Sequence, residues 1–501
     1  MIVSKKYLLL ASFILALYVL SINEYNNYLI RRNNTENNIK NARSLLYNSS
    51  VYSIDNVWYV SQIKNYLNGS GFTVNPEKSN YSVRRTPVYP LFYGLHYILF
   101  GEAGSYYYIR FTQLLIYILA TIALFYAVYN FTEDKKTALG CALLYGFNPS
   151  LVSFLYYTIT EAVSPSLVCF IVYFLSLCKK YNRKKDWVFA GLFFAIGALC
   201  RPSIFFLSIG ILFFIFYINR KSVRNIFWSV LYFILGASIL FAPHVIRNYR
   251  NAKEFILLEK YYGDPMDYGM PNIELRNWIS CWMNPADYTS ETISNSMISA
   301  ISFDTSKTKE MVLKDEMQKL PARGLLANSK SSIKDAYSSL FDYYNIKIHS
   351  HNQTEIDSTE KISRLKFTAL RSEFMREAPI QYYIVTPLLF LKSVVVQSNS
   401  SQLVFLDNYK ENYLKIGFKI LLLLLNIYLF ISLAGYLIFF RKHIAIYGLT
   451  ILFVLVNFVY IIFILKYFEA RYLIPLFPCL YIAGIIFFIE IIGRLKKRLH
   501  V

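Results

Sequence analysis

The chain has 501 residues, of which 55% are hydrophobic, and its mean hydropathy is +0.35. Soluble domains of this length are less apolar, so a single water-soluble core does not account for the composition. The formal net charge of +21 alone would suit a nucleic-acid binder. However, the basic residues lie in short clusters between apolar runs, which is typical of cytoplasmic loops and argues against a nucleic-acid partner.

The alternation of apolar runs and basic clusters predicts a topology. An apolar run of about 17 to 25 residues can cross the bilayer as a helix, which satisfies its own backbone groups. The basic clusters are Lys5-Lys6, Lys135-Lys136, Lys179 to Lys185, Arg220 to Arg224, Arg441-Lys442 and Arg494 to Arg498. Placing them all in the cytoplasm predicts ten spans with both termini inside. The spans lie near 7–22, 105–129, 137–157, 161–178, 187–201, 203–218, 226–242, 412–440, 444–465 and 473–493.

The sequence thus predicts an all-α polytopic membrane protein with two long outer segments, 23–104 and 243–411. As domains, 1–250 is an N-terminal transmembrane module that includes the first outer loop, 251–411 is an extracytoplasmic segment, and 412–501 holds the C-terminal transmembrane helices. The first span is expected to stay as an anchor, because no small-residue cleavage site follows it. The apolar run 382–398 is a candidate for an additional dip into the membrane.

Two short elements are predicted in the first outer segment. Residues 54–67 form a helix on which Asp55, Tyr59 and Gln62 share one face, because they recur at i, i+4 and i+7. The apolar stretch from Pro87 to Phe100 is short for a crossing and ends at Gly101, so it is expected along the membrane interface.

Most of the candidate functional residues are ionisable and gather on the predicted outer side. Charges at membrane depth are costly and are usually paired or functional. Guanidinium groups at headgroup level can hold a lipid phosphate, and a nearby carboxylate can take a proton from an attacking hydroxyl. The ionisable candidates are Asp55, Arg84, Arg85, Glu161, Arg201, His244, Arg247, Glu469 and Arg471, accompanied by Tyr59, Tyr89 and Tyr472.

The two main carboxylates also have purely structural interpretations. Asp55 stands at a helix N-terminus, where a negative charge suits the helix dipole. Glu161 can pair with Arg201 or Arg471 in a salt bridge.

The basic residues have structural interpretations too. Arg247 and Arg471 suit snorkelling anchors, and Arg84-Arg85 suits a solvated loop. His244 is typical of an interfacial side chain that is already hydrogen-bonded. The six cysteines show no CxxC or metal-type spacing, so neither a disulfide framework nor a zinc site is indicated.

At these residues the chain resembles the GT-C glycosyltransferases, which take sugars from polyprenyl-phosphate or polyprenyl-diphosphate carriers. It is most similar to the branch with protein O-mannosyltransferases and lipid A aminoarabinose transferases. The order and spacing of the matching segments agree over about 1–250 and again over 412–480. The segments are Asp55 to Tyr59, Arg85 to Phe92 ending at Phe100-Gly101, Thr160-Glu161, Gly197 to Pro202, Pro243 to Tyr249 and Glu469 to Pro475.

The resemblance implies a GT-C-like bundle of about ten transmembrane helices and roles for two residues. Asp55 matches the acidic residue that acts as base on the acceptor, and Arg85 matches the Arg-x-Pro element beside the donor phosphate. Many relatives have two adjacent carboxylates where this chain has Asp55 followed by Asn56. This departure leaves a single base, aided by Glu161, and gives no support to a divalent metal or any other cofactor.

Both lines of reasoning predict an inverting transfer of a sugar from a polyprenyl-phosphate carrier to an extracytoplasmic glycan, lipid or protein. Asp55 deprotonates the acceptor, while Arg85, Arg247 and Arg471, with Arg84 and Arg201 nearby, neutralise the departing phosphate.

Three other classes of function remain open, of which one is a structural or scaffold membrane protein. A lipid transporter or flippase also needs arginines at headgroup level, and a polysaccharide polymerase or ligase uses a diphosphate-linked glycan. We expect a bacterial inner membrane, with the site facing the periplasm or exterior. The sequence does not specify the sugar, the acceptor or the oligomeric state.

Overall fold

The computed structural model describes residues 5–36, 55–76, 82–260, 269–282, 290–302, 307–320, 325–350, 352–407, 410, 412–439, 443–465 and 469–499. The described residues are 86% helical and contain no strand. They form two compact units, of which the first comprises Met1–Lys260, Val395–Asn457 and Ala470–Val501 and the second comprises Tyr261–Val394 and Phe458–Glu469. The all-α prediction is confirmed.

The first unit contains most of the long apolar helices. Its N-terminal helices are α1 (Lys5–Glu36), α2 (Asn56–Leu67), α3 (Val88–Thr132), α4 (Lys135–Gly146), α5 (Pro149–Val152), α6 (Ser164–Tyr181), α7 (Lys184–Cys200), α8 (Leu207–Ile218) and α9 (Val223–Ala252). Short 3-10 turns at Ser153–Tyr156, Thr160–Ala162 and Pro202–Phe206 link some of them. Its later helices are α17 (Tyr413–Phe439), most of α18 (Ile444–Val459) and α19 (Phe477–Leu499), which the 3-10 segment Ala470–Leu476 precedes.

The second unit is a small helical bundle with its own core. Its helices are α10 (Gly269–Ile279), α11 (Ser290–Ser302), α12 (Lys309–Gln318), α13 (Leu325–Asn328), α14 (Lys330–His349), α15 (Gln353–Glu377) and α16 (Thr386–Val395). Trp278 of α10, Tyr337 of α14 and Phe367 of α15 are buried against one another, with ring centroids 6.0 to 6.1 Å apart. Such aromatic burial contributes strongly to the packing of these amphipathic helices.

The chain is an integral membrane protein. In the described part of the chain, six helices are long and apolar enough to cross a bilayer, and the number rises to eight if each of two bent helix pairs is one span. The six are Lys6–Leu29, Val88–Thr132, Val223–Ala252, Tyr413–Gly435, Ile444–Leu465 and Ala470–Leu495. Each coincides with one of the ten predicted spans.

The other four predicted spans are helical but differ in form. The 137–157 span is the pair Lys135–Gly146 and Pro149–Tyr156, bent by 46°. The three between 161 and 218 correspond to α6, α7 and α8, of 18, 17 and 12 residues. None of the three is among the six candidate spans, and Pro202–Ile218 is a shorter apolar helix, so their crossing of the membrane stays a prediction. The 382–398 run overlaps the second member of a helix pair that is bent by 100°. The basic cluster Arg441-Lys442 lies outside the described residues.

Close backbone packing fixes α7 against α9. A Cβ atom on Gly191 of α7 would lie 2.0 Å from the Phe233 carbonyl oxygen, and one on Gly236 of α9 would lie 2.0 Å from the Val188 carbonyl oxygen. The two helices therefore touch through reciprocal glycines, a common solution where lipid offers no hydrophobic driving force between helices. This contact sets the position of the C-terminal end of α7, from which Arg201 follows.

A glycine also breaks the longest helix. Gly101 in α3 has φ 70° and ψ −175°, which separates the segment beginning at Val88 from the long apolar helix that follows. Only glycine adopts this conformation without strain. The structure thus agrees with the predicted short element from Pro87 to Phe100, while its placement along the interface stays a prediction.

Candidate functional site

Asp55 and Arg471, although 416 positions apart, form a direct ion pair in the first unit. Asp55 immediately precedes α2, but its side chain makes no capping hydrogen bond to that helix. Its carboxylate instead accepts from the Arg471 guanidinium at the start of the last apolar helix. About a third of the Asp55 side chain stays exposed (32%), so a substrate can reach it. Asp55 therefore stands at the helix N-terminus without capping it, and the helix-dipole interpretation stays untested.

A second carboxylate, Glu161, joins the pair to Arg201. Glu161 Oε1 lies 2.7 Å from Arg201 Nη1 and 3.8 Å from Arg471 Nε. Its side chain is buried, with only 5% exposed. Two guanidinium groups around one buried carboxylate keep that carboxylate ionised and fix the guanidinium groups in place. Both salt bridges that the sequence offered for Glu161 are present together.

The conformation of Arg201 follows from the proline after it. Because Pro202 disfavours helix at the preceding residue, Arg201 leaves α7 with extended backbone (φ −142°, ψ 112°). Its guanidinium donates to the Thr160 hydroxyl at 3.1 Å and to the Arg471 carbonyl oxygen at 3.3 Å. It thus ties the turn that carries Glu161 to the segment that carries Arg471.

Tyr59 extends the cluster toward Arg85. On the face of α2 that begins with Asp55, Tyr59 hydrogen-bonds to the Thr160 hydroxyl, and the Arg85 guanidinium lies 5.8 Å from the centre of its ring. Burial raises the pKa of Tyr59, and the Arg85 charge offsets part of that effect. Tyr59 is therefore a neutral hydrogen-bonding group at physiological pH.

Aromatic neighbours support this arrangement. The Tyr89 ring packs edge-on against Tyr59 at 5.3 Å, and its hydroxyl donates to Gln113 at 2.9 Å. Arg84 lies 4.7 Å over the Trp58 ring, which favours a cation–π contact. The third residue of the predicted α2 face, Gln62, is fully buried.

Arg247 and His244, near the end of α9, contact backbone segments beside the cluster. Arg247 donates to the Ser82 carbonyl and lies 5.1 Å over the Phe72 ring. His244 Nε2 is 2.7 Å from the Leu258 carbonyl oxygen. These contacts hold the stretch before Arg84 and the stretch after α9.

Glu259 was not singled out by the sequence analysis. Its carboxylate lies 3.8 Å from Arg85 Nη1 and accepts the Thr86 backbone N–H. Burial raises the pKa of Glu259, although Arg85 and Arg84 oppose the shift. No periodicity or motif marks this residue, so only the fold identifies it.

Two further predicted residues are Tyr472 and Glu469. Tyr472 follows Arg471 and is half-buried, and Glu469 is half-buried within the second unit. Their roles stay predictions. Within the described parts of the chain, no three His, Cys, Asp or Glu side chains are grouped as metal ligands, and the two central carboxylates are both turned to Arg471.

The arrangement can bind an anion beside a partly exposed carboxylate. Guanidinium groups from three distant parts of the chain (Arg85, Arg201 and Arg471) are linked through Tyr59, Glu161 and their neighbours. Such groups match the geometry of a phosphate, and Asp55 lies next to one of them. The predicted convergence of Asp55, Glu161 and several arginines is thus present in one unit.

Comparison with known proteins agrees with this chemistry. Residues 84–246 match the family model described as dolichyl-phosphate-mannose-protein mannosyltransferase. The matched segment contains Arg84, Arg85, Glu161 and Arg201, whereas Asp55 and Arg471 lie outside it. No curated protein matches the chain. Residues 84–246 thus carry the sequence pattern of a family that belongs to the GT-C superfamily of membrane glycosyltransferases.

Proposed function

We propose that the protein is an inverting glycosyltransferase that moves a sugar from a polyprenyl-phosphate carrier to an acceptor on the outer side of the membrane. The observation that carries this proposal is the ion pair between Asp55 and Arg471, joined through Glu161 to Arg201. A proton acceptor and phosphate-binding groups then lie side by side, as glycosyl transfer from a lipid phosphate requires. The family match supports the same type of donor.

In the proposed reaction, Asp55 is the general base. One of its oxygens accepts from Arg471, and its exposed fraction admits an acceptor hydroxyl or amine. As the proton moves to Asp55, the acceptor atom attacks the anomeric carbon from the side opposite the phosphate. The bond between that carbon and the phosphate oxygen breaks, and its electron pair stays on the phosphate. The configuration at the anomeric carbon is inverted.

The arginines stabilise the leaving group. The phosphate changes from a diester with one negative charge to a monoester that approaches two, so added positive charge favours the transition state over the bound donor. Arg85, Arg201 and Arg471 are the groups assigned to this role, with Arg84 beside them and Arg247 acting through the backbone of Ser82. This preorganised charge needs no proton on the departing phosphate.

Glu161 has a positioning role in this proposal. It is buried and bound by two guanidinium groups, so it is a poor proton acceptor for an incoming substrate. Its charge instead keeps Arg201 and Arg471 close to each other despite their repulsion. Asp55 is then the one base, with Glu161 aiding it through Arg471.

The decisive experiment offers purified protein in proteoliposomes a set of radiolabelled polyprenyl-phosphate monosaccharides together with cell-envelope extract as acceptor. Loss of label from the carrier and its appearance in a covalent product is the expected result. Movement of the lipid between leaflets without covalent transfer would instead indicate a transporter. Transfer only from a diphosphate-linked glycan would indicate a polymerase or ligase.

The membrane and the natural acceptor belong to the same proposal. We place the protein in a bacterial inner membrane, with Asp55 and the arginines around it facing outward. In this orientation the basic clusters lie in the cytoplasm. Mass spectrometry of surface glycans and glycolipids from a strain lacking the protein tests this placement and identifies the sugar. Unchanged glycans, glycolipids and glycoproteins would contradict it.

A further inference from the structure

A short segment after α9 carries a third carboxylate into the arginine cluster. Asn248, fully buried on α9, donates to the Ile256 carbonyl at 2.9 Å, and His244 lies 2.7 Å from the Leu258 carbonyl. On the other side, the Lys260 backbone N–H donates to the Val83 carbonyl at 3.1 Å. The segment is therefore held at both ends by hydrogen bonds.

These hydrogen bonds place Glu259 next to basic side chains. Its carboxylate lies 3.8 Å from Arg85 Nη1, and it also interacts with the charges of Arg84 and Arg201. The Thr86 backbone N–H hydrogen-bonds to it. A separation of 3.8 Å is longer than a hydrogen bond, so Glu259 and Arg85 form a loose ion pair that a phosphate can displace.

On the basis of the glycosyltransferase function above, we propose that Glu259 is a positioning residue that competes with the spent lipid phosphate for Arg85 and thereby speeds product release. Arginines that stabilise a departing phosphate also hold the product, because the monoester carries more charge than the donor. A carboxylate beside Arg85 offers that guanidinium another partner as the product leaves. Glu259 thus lowers the affinity for the donor and raises the turnover rate.

The proposal predicts a pH dependence with a definite sign. The charged groups that face Glu259 are Arg84 and Arg85 from the preceding loop and Arg201 from the end of α7. Because burial raises its pKa, Glu259 becomes neutral on acidification before an ordinary glutamate does. The neutral side chain competes poorly for Arg85, so the effect of Glu259 on inhibition by polyprenyl phosphate is expected to disappear as the pH falls.

The test compares Glu259→Gln with Glu254→Gln. Glu254 lies in the same segment, is 54% exposed and pairs with Lys260 at the surface, so it is a matched control for loss of one charge. For Glu259→Gln we expect the inhibition constant of polyprenyl phosphate to fall about tenfold, as for removing one like charge beside a partly exposed ionic site. The KM for donor and kcat should fall together, and the single-turnover rate should change less than about twofold, because release and not chemistry is altered. The inhibition constants of this variant and of the wild type should converge as the pH falls.

Other results overturn the proposal. An unchanged or raised inhibition constant for Glu259→Gln contradicts it, as does a higher KM together with slower single turnover, which indicates that Glu259 orients Arg85 for chemistry. Direct binding of polyprenyl phosphate, measured as a shift in thermal unfolding for the wild type and both variants, keeps this test separate from the proposed function. If the wild type binds polyprenyl phosphate but transfers no sugar, the proposed function fails while the role of Glu259 is still decided.

Discussion

The first unit contains two kinds of arginine–carboxylate arrangement, and they differ in how the cation is surrounded. Arg110 donates to Glu24 at 3.0 Å, and the Tyr156 hydroxyl donates to the same carboxylate at 3.1 Å. The Arg110 guanidinium also lies 4.4, 4.8 and 5.0 Å from the ring centres of Tyr107, Phe111 and Tyr156. One cation is thus enclosed by one carboxylate and three aromatic faces, and only 7% of its side chain is exposed.

The group formed by Asp55, Glu161, Arg201 and Arg471 differs, because its charges are shared among several partners. There, Arg471 is shared by two carboxylates, and Glu161 is shared by two guanidinium groups. Because each group depends on a partner from a distant part of the chain, one added anion can redistribute all of the contacts. An aromatic enclosure stabilises a fold, whereas a shared network of charges at a partly open surface is suited to a substrate. The predictions below test this distinction, from the largest effect to the smallest.

The largest effect is expected for Asp55→Asn. Asparagine keeps the shape of the side chain but cannot accept the acceptor's proton, and general bases contribute about 10²- to 10⁴-fold to rates. We expect a loss of at least about 100-fold in the rate of sugar transfer in proteoliposomes. Glu102→Gln, at an exposed pair with Lys64, is the control and should retain activity. Wild-type transfer by a correctly inserted Asp55→Asn variant would show that another group is the base.

A smaller but still severe loss is expected for Arg471→Lys. Lysine keeps the charge, but a single ammonium group does not reproduce the forked contacts to Asp55 and Glu161. Removing a transition-state donor typically costs 10²- to 10³-fold, so with the charge retained we expect about a 10- to 100-fold lower kcat. The comparison variant is Arg471→Gln, which should lose more. Equal activities for lysine and arginine at this position would mean that charge alone suffices.

Arg110→Met should separate stability from activity. Loss of the cation–π contacts and of the Glu24 pair is expected to cost about 2 kcal/mol of folding stability. The rate of transfer per folded molecule should change less than about twofold, because Arg110 serves packing in this comparison. Thermal unfolding and the transfer assay on the same preparation measure both quantities. A large drop in the rate with unchanged stability would place Arg110 in the functional machinery.

The smallest effect is expected at the turn before α4. Asp134 caps this helix by accepting the backbone N–H groups of Lys136 at 3.1 Å and Thr137 at 3.0 Å. Asp134→Ala should destabilise the protein by about 1 kcal/mol, and Asp134→Asn by less, because asparagine also caps helices. Partial burial raises the pKa of Asp134, but the hydrogen bonds from Thr137 and Lys136 outweigh it and the net pKa is lowered. The stabilisation is therefore present at neutral pH and lost as the pH falls through this lowered pKa, so thermal midpoints of wild type and Asp134→Ala should converge in acid.

Much of the candidate site could be predicted from the sequence. Charged residues at the ends of apolar runs are conspicuous because the bilayer penalises them, and this signal identified Asp55, Glu161, Arg201 and Arg471. The same rule applied to Arg110, which lies inside the predicted span 105–129, but the sequence analysis did not single it out. Glu259 gave no such signal, since a glutamate in a polar loop is ordinary.

The sequence by itself determined that the chain is a helical membrane protein and that charged groups suited to a lipid phosphate flank its apolar runs. Hydrophobicity over a span length is a local property, and the cost of a charge in lipid is nearly independent of its neighbours. Only the tertiary structure decided which carboxylate meets which arginine and that Glu259 joins the cluster. Those features depend on contacts between residues hundreds of positions apart, such as Asp55 with Arg471, and no local pattern encodes them.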